Sequence, residues 1–329
     1  ASSIIWASEV TYTIKIESIA LNESRSVLIR LPAGYDKNPE KRYPVIFTLN
    51  DEDNFNWTST IVDVQSSSHG IEDIIVVGLP HSGSYSEDNY PFKDEEGSVE
   101  LNPQAENYPK FIRKEIIPLI DKSYRTNGGR FIIGHSLSGL FVAHLFTQYP
   151  NVFSTYIVLS PSLHHAPQFT EILNQFFTDN PMLASQIYLS VGSMEHTLIQ
   201  QEYKKLLRVF ESNAPQGLSW FATDMVNTDH MLAAFNGVYN ALAWIYKDWS
   251  IHDEQAKNMT ATEIINHYLA LSKKLNYKIK PRERYMIGLS GFLAEKLNNK
   301  TAAKEVLKAA SFFYEDSTNI KNTINKLGL

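Results

Sequence analysis

The chain has 329 residues, 43% of them hydrophobic, enough for one large or two modest domains around a sizeable core. A net charge of −6 offers no basic surface and argues against electrostatic binding to a nucleic-acid backbone. Cysteine is absent, which removes disulfides, thiolate metal sites and a cysteine nucleophile together, and leaves the compartment open between cytoplasm and a periplasmic or secreted location.

No apolar run reaches bilayer-spanning length, so no membrane span is expected. The start, Ala1-Ser2-Ser3-Ile4-Ile5-Trp6, lacks a basic region followed by an apolar stretch. Val10, Tyr12, Ile14 and Ile16 alternate with polar residues, as do Val27, Ile29 and Leu31, which predicts two antiparallel strands. Tyr43 to Leu49 and Ile74 to Leu79 are near-continuous apolar runs, the pattern of strands covered on both faces in a parallel sheet. His81 to Pro103 is polar and acidic, a long loop of the kind that covers or lines sites. Ala105 to Ile120 reads as a helix bent in its last turn by Pro118. Strands follow at Phe131, Ser154 to Ser160, Gln186 to Val191 and Leu218 to Thr223. They alternate with helices running through Tyr149, over Gln168 to Phe177 and Gln200 to Ser212, and finally over Met231 to Trp249. This alternation defines an α/β sheet, and antiparallel strands followed by parallel ones match the α/β-hydrolase fold with a central, mostly parallel sheet. Composition shifts near Ser250, which divides the chain into 1–250 and an all-helical extension at 251–329. Arg284 to Leu297 and Thr301 to Tyr314 predict an antiparallel helical hairpin of tetratricopeptide-like form.

The most informative stretch is Arg130-Phe131-Ile132-Ile133-Gly134-His135-Ser136-Leu137-Ser138-Gly139. An apolar strand meets a Gly-x-Ser turn and runs straight into a helical pattern, the context a nucleophile elbow requires. Such a turn tolerates only small residues two positions either side of the serine. Gly134 meets that demand, and Ser138 stands where the usual pattern has a second glycine.

A serine hydroxyl needs a neighbouring base. His230 follows the loop after the last strand, where the serine–acid–histidine order of such folds puts the imidazole. Glu195 follows the penultimate strand and is the candidate acid; Asp224 and Asp229 are the rivals, and a serine–histidine dyad is the remaining alternative. Oxyanion donors are expected at the backbone N–H groups of Leu137 and of Asp51, in the Asn50-Asp51-Glu52 loop. Asn50, His135, His164 and His165 are candidate substrate-binding residues, although the His135 side chain should point away from the elbow's tip. Histidine spacing gives no metal motif, and no dinucleotide or phosphate loop occurs, so no metal or cofactor is expected.

Four segments resemble the esterase D-like family of serine hydrolases, which includes S-formylglutathione hydrolases, mycolyltransferases and the enterobactin/salmochelin siderophore esterases. They are Tyr43–Asp51, Phe111 through Thr126, Gly134–Phe141 and Ser160-Pro161-Ser162-Leu163. The resemblance covers about residues 9 to 250, and the tail is similar to the helical extension of a bacterial subgroup. It implies a siderophore-esterase-like carboxylesterase acting on a small-molecule ester. Departures are Ser138 in the elbow, Asp51 in place of the oxyanion-loop glycine, and a Glu87–Pro91 segment without the arginine relatives often carry. An acidic loop over Asp88 to Glu96 argues against an anionic ferric siderophore. Two alternatives stay open: a binding or scaffold protein on an inactive hydrolase fold, and an acyltransferase. The helical extension offers a surface for homo-oligomers.

Overall fold

The computed structural model describes residues 10–68, 70–81, 88, 91 and 105–329. Most of the acidic loop expected from His81 to Pro103, and most of the Glu87–Pro91 segment, lie outside the described residues. The chain divides into two compact units, Ala1–Val64 with Asp73–Leu242, and Gln65–Glu72 with Ala243–Leu329.

Eight described strands form one sheet in the first unit. They are β1 (Val10–Ser18), β2 (Glu23–Leu31), β3 (Tyr43–Asn50), β4 (Ile75–Pro80), β5 (Thr126–His135), β6 (Thr155–Leu159), β7 (Gln186–Gly192) and β8 (Ser219–Met225). Their order across the sheet is β1-β2-β4-β3-β5-β6-β7-β8. Pairing is antiparallel between β1 and β2 and between β2 and β4, and parallel from β4 onward. This is the α/β-hydrolase arrangement the alternation predicts. Every residue of β3, β6 and β7 is buried, as continuous apolar runs require when helices cover both faces. At the edge, β8 is mostly half-exposed. Because β3 and β5 to β8 run in parallel, Asn50, His135, Leu159, Gly192 and Met225 all end at one border of the sheet. In open α/β sheets that border is where ligands bind.

The flanking helices include α1 (Glu52–Ser67), which the sequence reading leaves unassigned. Its run of Thr, Val, Ile and Ser has low helical propensity and weak amphipathicity, so packing decides its conformation. Between β4 and β5 a continuous helical stretch, α2, runs through Asn107–Lys110, a π-helical Phe111–Ile116 and Ile117–Ser123. Pro118, where the sequence predicts a bend, lies directly after this wide turn. Opening the turn before the proline relieves its ring's clash with the carbonyl four residues back and absorbs the missing N–H. Next come α3 (Leu137–Gln148), α4 (Phe169–Asp179), α5 (Thr197–Asn213) and α6 (His230–Ile245).

The second unit is helical: α7 (Ala261–Leu275), α8 (Glu283–Glu295), α9 (Lys300–Phe313) and α10 (Thr318–Leu327) follow a single turn at Asp253–Ala256. The expected hairpin is α8 and α9, turned at Asn299, whose side chain accepts from the Ala302 N–H. Inside this unit the Tyr246 and Tyr277 hydroxyls lie 3.0 Å apart, and the Arg282 guanidinium donates to the Ser66 and Ile71 carbonyls at 2.7 and 3.0 Å.

Candidate active site

Ser136 sits between β5 and α3 with φ 61 and ψ −121, a backbone region that side chains rarely adopt and that cores do not tolerate without cause. Two features make the turn possible. A Cβ on Gly134 would stand 2.0 Å from the Ser138 carbonyl oxygen, so only glycine fits there. Ser138, read from the sequence as merely small, does more. Its buried hydroxyl accepts from the His135 N–H at 2.9 Å and donates to the His135 carbonyl at 3.0 Å, stitching the helix start to the strand end. A glycine there would leave both backbone groups without these partners.

The structure brings Ser136, His230 and Glu195 together. The His230 Nε2 lies 3.0 Å from the Ser136 Oγ, and its Nδ1 lies 2.8 and 3.0 Å from the two Glu195 carboxylate oxygens. The Glu195 side chain is 1% exposed and the His230 side chain 34%. Burial pushes the Glu195 carboxyl up, but the hydrogen bond from the His230 ring, with lesser contributions from its neighbours, outweighs it and holds the group below the usual carboxylate value. Glu195 is therefore an ionised acceptor, which places the proton of a neutral imidazole on Nδ1 and the lone pair on Nε2, facing the Ser136 hydroxyl.

Two short loops set this register. A Cβ on Gly192 would meet the Thr228 carbonyl at 2.3 Å, so glycine lets the loop after β7 press against the loop after β8. There the Met194 N–H donates to the Thr228 carbonyl at 3.0 Å and the Ser193 N–H to the Met225 carbonyl at 2.9 Å. The rival acids are placed differently. Asp229 caps α6, its carboxylate accepting from the Leu232 N–H at 2.9 Å. Asp224 is exposed on the edge strand and lines a polar hollow of about 330 Å³ with Thr223, Tyr239 and Asn240.

His135 stands behind His230, not in a cleft. It is buried, its ring lies 4.6 Å from the His230 ring, and its Nε2 contacts the His230 carbonyl at 2.8 Å. Burial above all, with the neighbouring His230 ring adding to it, lowers it to about 4, so at neutral pH it is an uncharged donor holding the first turn of α6. Asn50 is buried with φ 92, and its amide donates to the His135 carbonyl at 3.1 Å, tying the loop after β3 to the elbow. Asp51 turns its carboxylate onto the Asn54 N–H at 2.9 Å and the Asn54 amide at 2.8 Å, capping α1. An acidic residue beside an expected oxyanion is thereby explained by the helix behind it. Leu137 opens α3, with backbone donors and the positive end of the helix dipole.

His164 and His165 lie in a single 3-10 turn after β6, their rings 4.2 Å apart. Burial, then the nearby His165 and His196, lower His164. One neighbour was missed at the sequence level. The Ser162 Oγ lies 3.1 Å from the Ser136 Oγ, and the Ser162 N–H donates to the Ser136 carbonyl at 3.0 Å. The Ser160–Leu163 motif was the available signal, but spacing alone does not reveal which hydroxyl turns toward the elbow. The Asp88 of the expected acidic loop is no free anion. Its carboxylate receives the Arg25 guanidinium in two bonds of 2.6 and 2.7 Å, with the two side chains 4% and 5% exposed.

The Esterase family model matches residues 18–247, and the chain belongs to that family. Ferri-bacillibactin esterase BesA of Bacillus subtilis is 28% identical over 162 residues, 44% of this chain and 56% of its own length. Uncharacterized protein YjcH of the same organism is 30% identical over 154 residues, 45% of this chain and 60% of its own length. The chain thus matches somewhat over half the length of these curated relatives. The crystal structure of an IroE-like serine hydrolase from Shewanella oneidensis superposes with a TM-score of 0.79 at 21% identity, covering 92% of this chain and 100% of that one. Among the described residues no helix is long and apolar enough to cross a membrane.

Proposed function

We propose that this chain is a serine carboxylic ester hydrolase that works through an acyl-enzyme intermediate. The observation that carries the reading is the unbroken run of contacts from Glu195 through His230 to Ser136. Ser136 Oγ adds to the ester carbonyl carbon while its proton passes to His230 Nε2. The ionised Glu195 stabilises the imidazolium and fixes its tautomer. The oxyanion is held by the backbone N–H groups of Leu137 and Asp51. Collapse of the intermediate expels the alcohol, which takes the proton from Nε2. Water, deprotonated by the same nitrogen, then releases the acid and restores the serine hydroxyl.

Of ester substrates, a siderophore-type lactone is favoured by the kind of reaction named for BesA. The buried Arg25–Asp88 pair favours it further, since Asp88 does not add to an acidic barrier against an anionic chelate. In this reading 1–250 carries the chemistry and the helices of 251–329 are accessory. Turnover of p-nitrophenyl acetate by the wild type and by Ser136→Ala tests the mechanism. Loss of at least about a thousandfold in the variant is expected, and equal rates would overturn the reading. A panel of ferric and iron-free siderophore lactones beside simple aryl esters tests the substrate.

A further inference from the structure

We infer that Ser162 is a catalytic residue of this site: its hydroxyl donates to the Ser136 Oγ and serves that oxygen as leaving group when the acyl-enzyme is hydrolysed. The inference rests on the proposed role of Ser136.

The direction of the hydrogen bond follows from counting protons along the chain of contacts. The Glu195 carboxylate accepts at both oxygens, so Nδ1 of His230 carries a hydrogen. A neutral imidazole then has only a lone pair at Nε2, and the group 3.0 Å away, the Ser136 hydroxyl, must donate to it. A hydroxyl has one hydrogen. With that hydrogen committed to His230, the Ser136 Oγ is an acceptor toward its second neighbour, and Ser162, 3.1 Å away, must be the donor. Ser162 is buried, and its backbone is anchored twice. Its N–H donates to the Ser136 carbonyl at 3.0 Å, and its own carbonyl accepts from the His165 N–H at 3.1 Å. The donor is therefore held in place by main-chain bonds that a side-chain substitution leaves intact.

Such a donor acts unequally on the two half-reactions. During acylation it steadies the negative charge gathering on Oγ but also makes that oxygen a poorer nucleophile, and the two effects offset. In the acyl-enzyme the Oγ is an ester oxygen and accepts weakly. In deacylation, water adds to the acyl carbon as His230 Nε2 takes its proton. The bond from that carbon to Oγ then breaks, the electron pair goes to Oγ, and Nε2–H returns the proton to it. The charge on the departing Oγ is transient and only partly exposed to water, and Ser162 donates to it where no compensating loss applies.

The test is stopped-flow hydrolysis of p-nitrophenyl acetate by wild type, Ser162→Ala, Ser162→Thr and Ser136→Ala. In Ser162→Ala the burst of nitrophenolate should approach one per active site, with a burst rate within about threefold of wild type. Its steady-state rate should fall on the order of 10- to 100-fold, the value of a hydrogen bond to a charged group. Ser162→Thr, which keeps the hydroxyl, should recover most of that rate. Unchanged deacylation in Ser162→Ala, or a loss confined to the burst phase, overturns the inference. A loss that Ser162→Thr does not recover assigns the effect to packing and also overturns it. Ser136→Ala separates the two levels: retained turnover there sinks the nucleophile assignment itself, whereas its loss beside an unaltered Ser162→Ala sinks only the role of Ser162.

Discussion

Replacing Glu195 by Gln keeps the shape of the buried side chain and removes its charge. The Glu195 oxygen stands 2.8 Å from the His230 Nδ1. At an effective dielectric constant of about 20, a full imidazolium at that distance is stabilised by about 6 kcal/mol. The His230 side chain is 34% exposed, so water screens part of this, and about half survives as a difference between resting and transition states. That half corresponds to a factor of about 100 in rate. A second effect adds to it. Gln donates from its amide to Nδ1, which moves the imidazole proton to Nε2 and turns the base into a donor facing Ser136. Together they give a fall in kcat of about 100- to 10,000-fold, with KM little changed. The assay is steady-state hydrolysis of p-nitrophenyl acetate by Glu195→Gln, Asp224→Asn and Asp229→Asn, each checked for folding by circular dichroism. The two aspartate variants should stay within about threefold of wild type, since Asn caps a helix as well as Asp does. Near-wild-type activity in Glu195→Gln, or an equal loss in Asp224→Asn, would refute the assignment of the acid.

Further expectations concern the frame around the site. Ser138→Gly installs the usual elbow residue yet should destabilise the protein by about 1 to 3 kcal/mol in urea titrations, because it removes the partner of the buried His135 N–H; a gain in stability would contradict the stitching role. His144 lies buried on α3 and burial lowers it to about 4, against an ordinary value of 6.5. His135 behaves alike. As pH falls below 6.5 the unfolded chain takes up protons that the folded one refuses, so stability is full above that pH and declines toward pH 4, below which the slope ends. Each histidine contributes about 3 kcal/mol to that decline. His144→Leu should remove its share of the slope in unfolding curves measured between pH 7 and 4, and an unchanged slope would show that the residue is not buried neutral.

Much of the fold was legible because its signals are short-range. Continuous apolar runs such as 43–49 and 186–191, short and rich in β-branched and aromatic residues, point to doubly covered strands, and the Gly134–Ser136 turn announces strand, elbow and helix in ten residues. His230 and Glu195 were legible from their order after the last two strands. Helix α1 was not, since its β-branched composition speaks against a helix and only the cap at Asp51 gives it away. The wide turn before Pro118 was equally hidden, because a proline reports a lost N–H and not how the chain absorbs it. What sequence order could not reveal is which way a small polar side chain turns. Ser138 and Ser162 were both visible as residues, one filed as a tolerated substitution and the other as part of a motif. Their hydrogen bonds depend on the rotamers the two hydroxyls take, which order along the chain does not fix. His135 was read in two ways, facing a substrate or turned from the tip, and the structure places it behind His230.

The reactivity of Ser136 toward a fluorophosphonate measures the core of the proposal without reference to any natural substrate. Incubation of the folded chain, digestion and mass spectrometry should locate one stoichiometric phosphonyl adduct, on Ser136, whose formation slows by orders of magnitude in His230→Ala. A folded wild-type chain that stays unlabelled, or that carries the adduct on another serine, would contradict it.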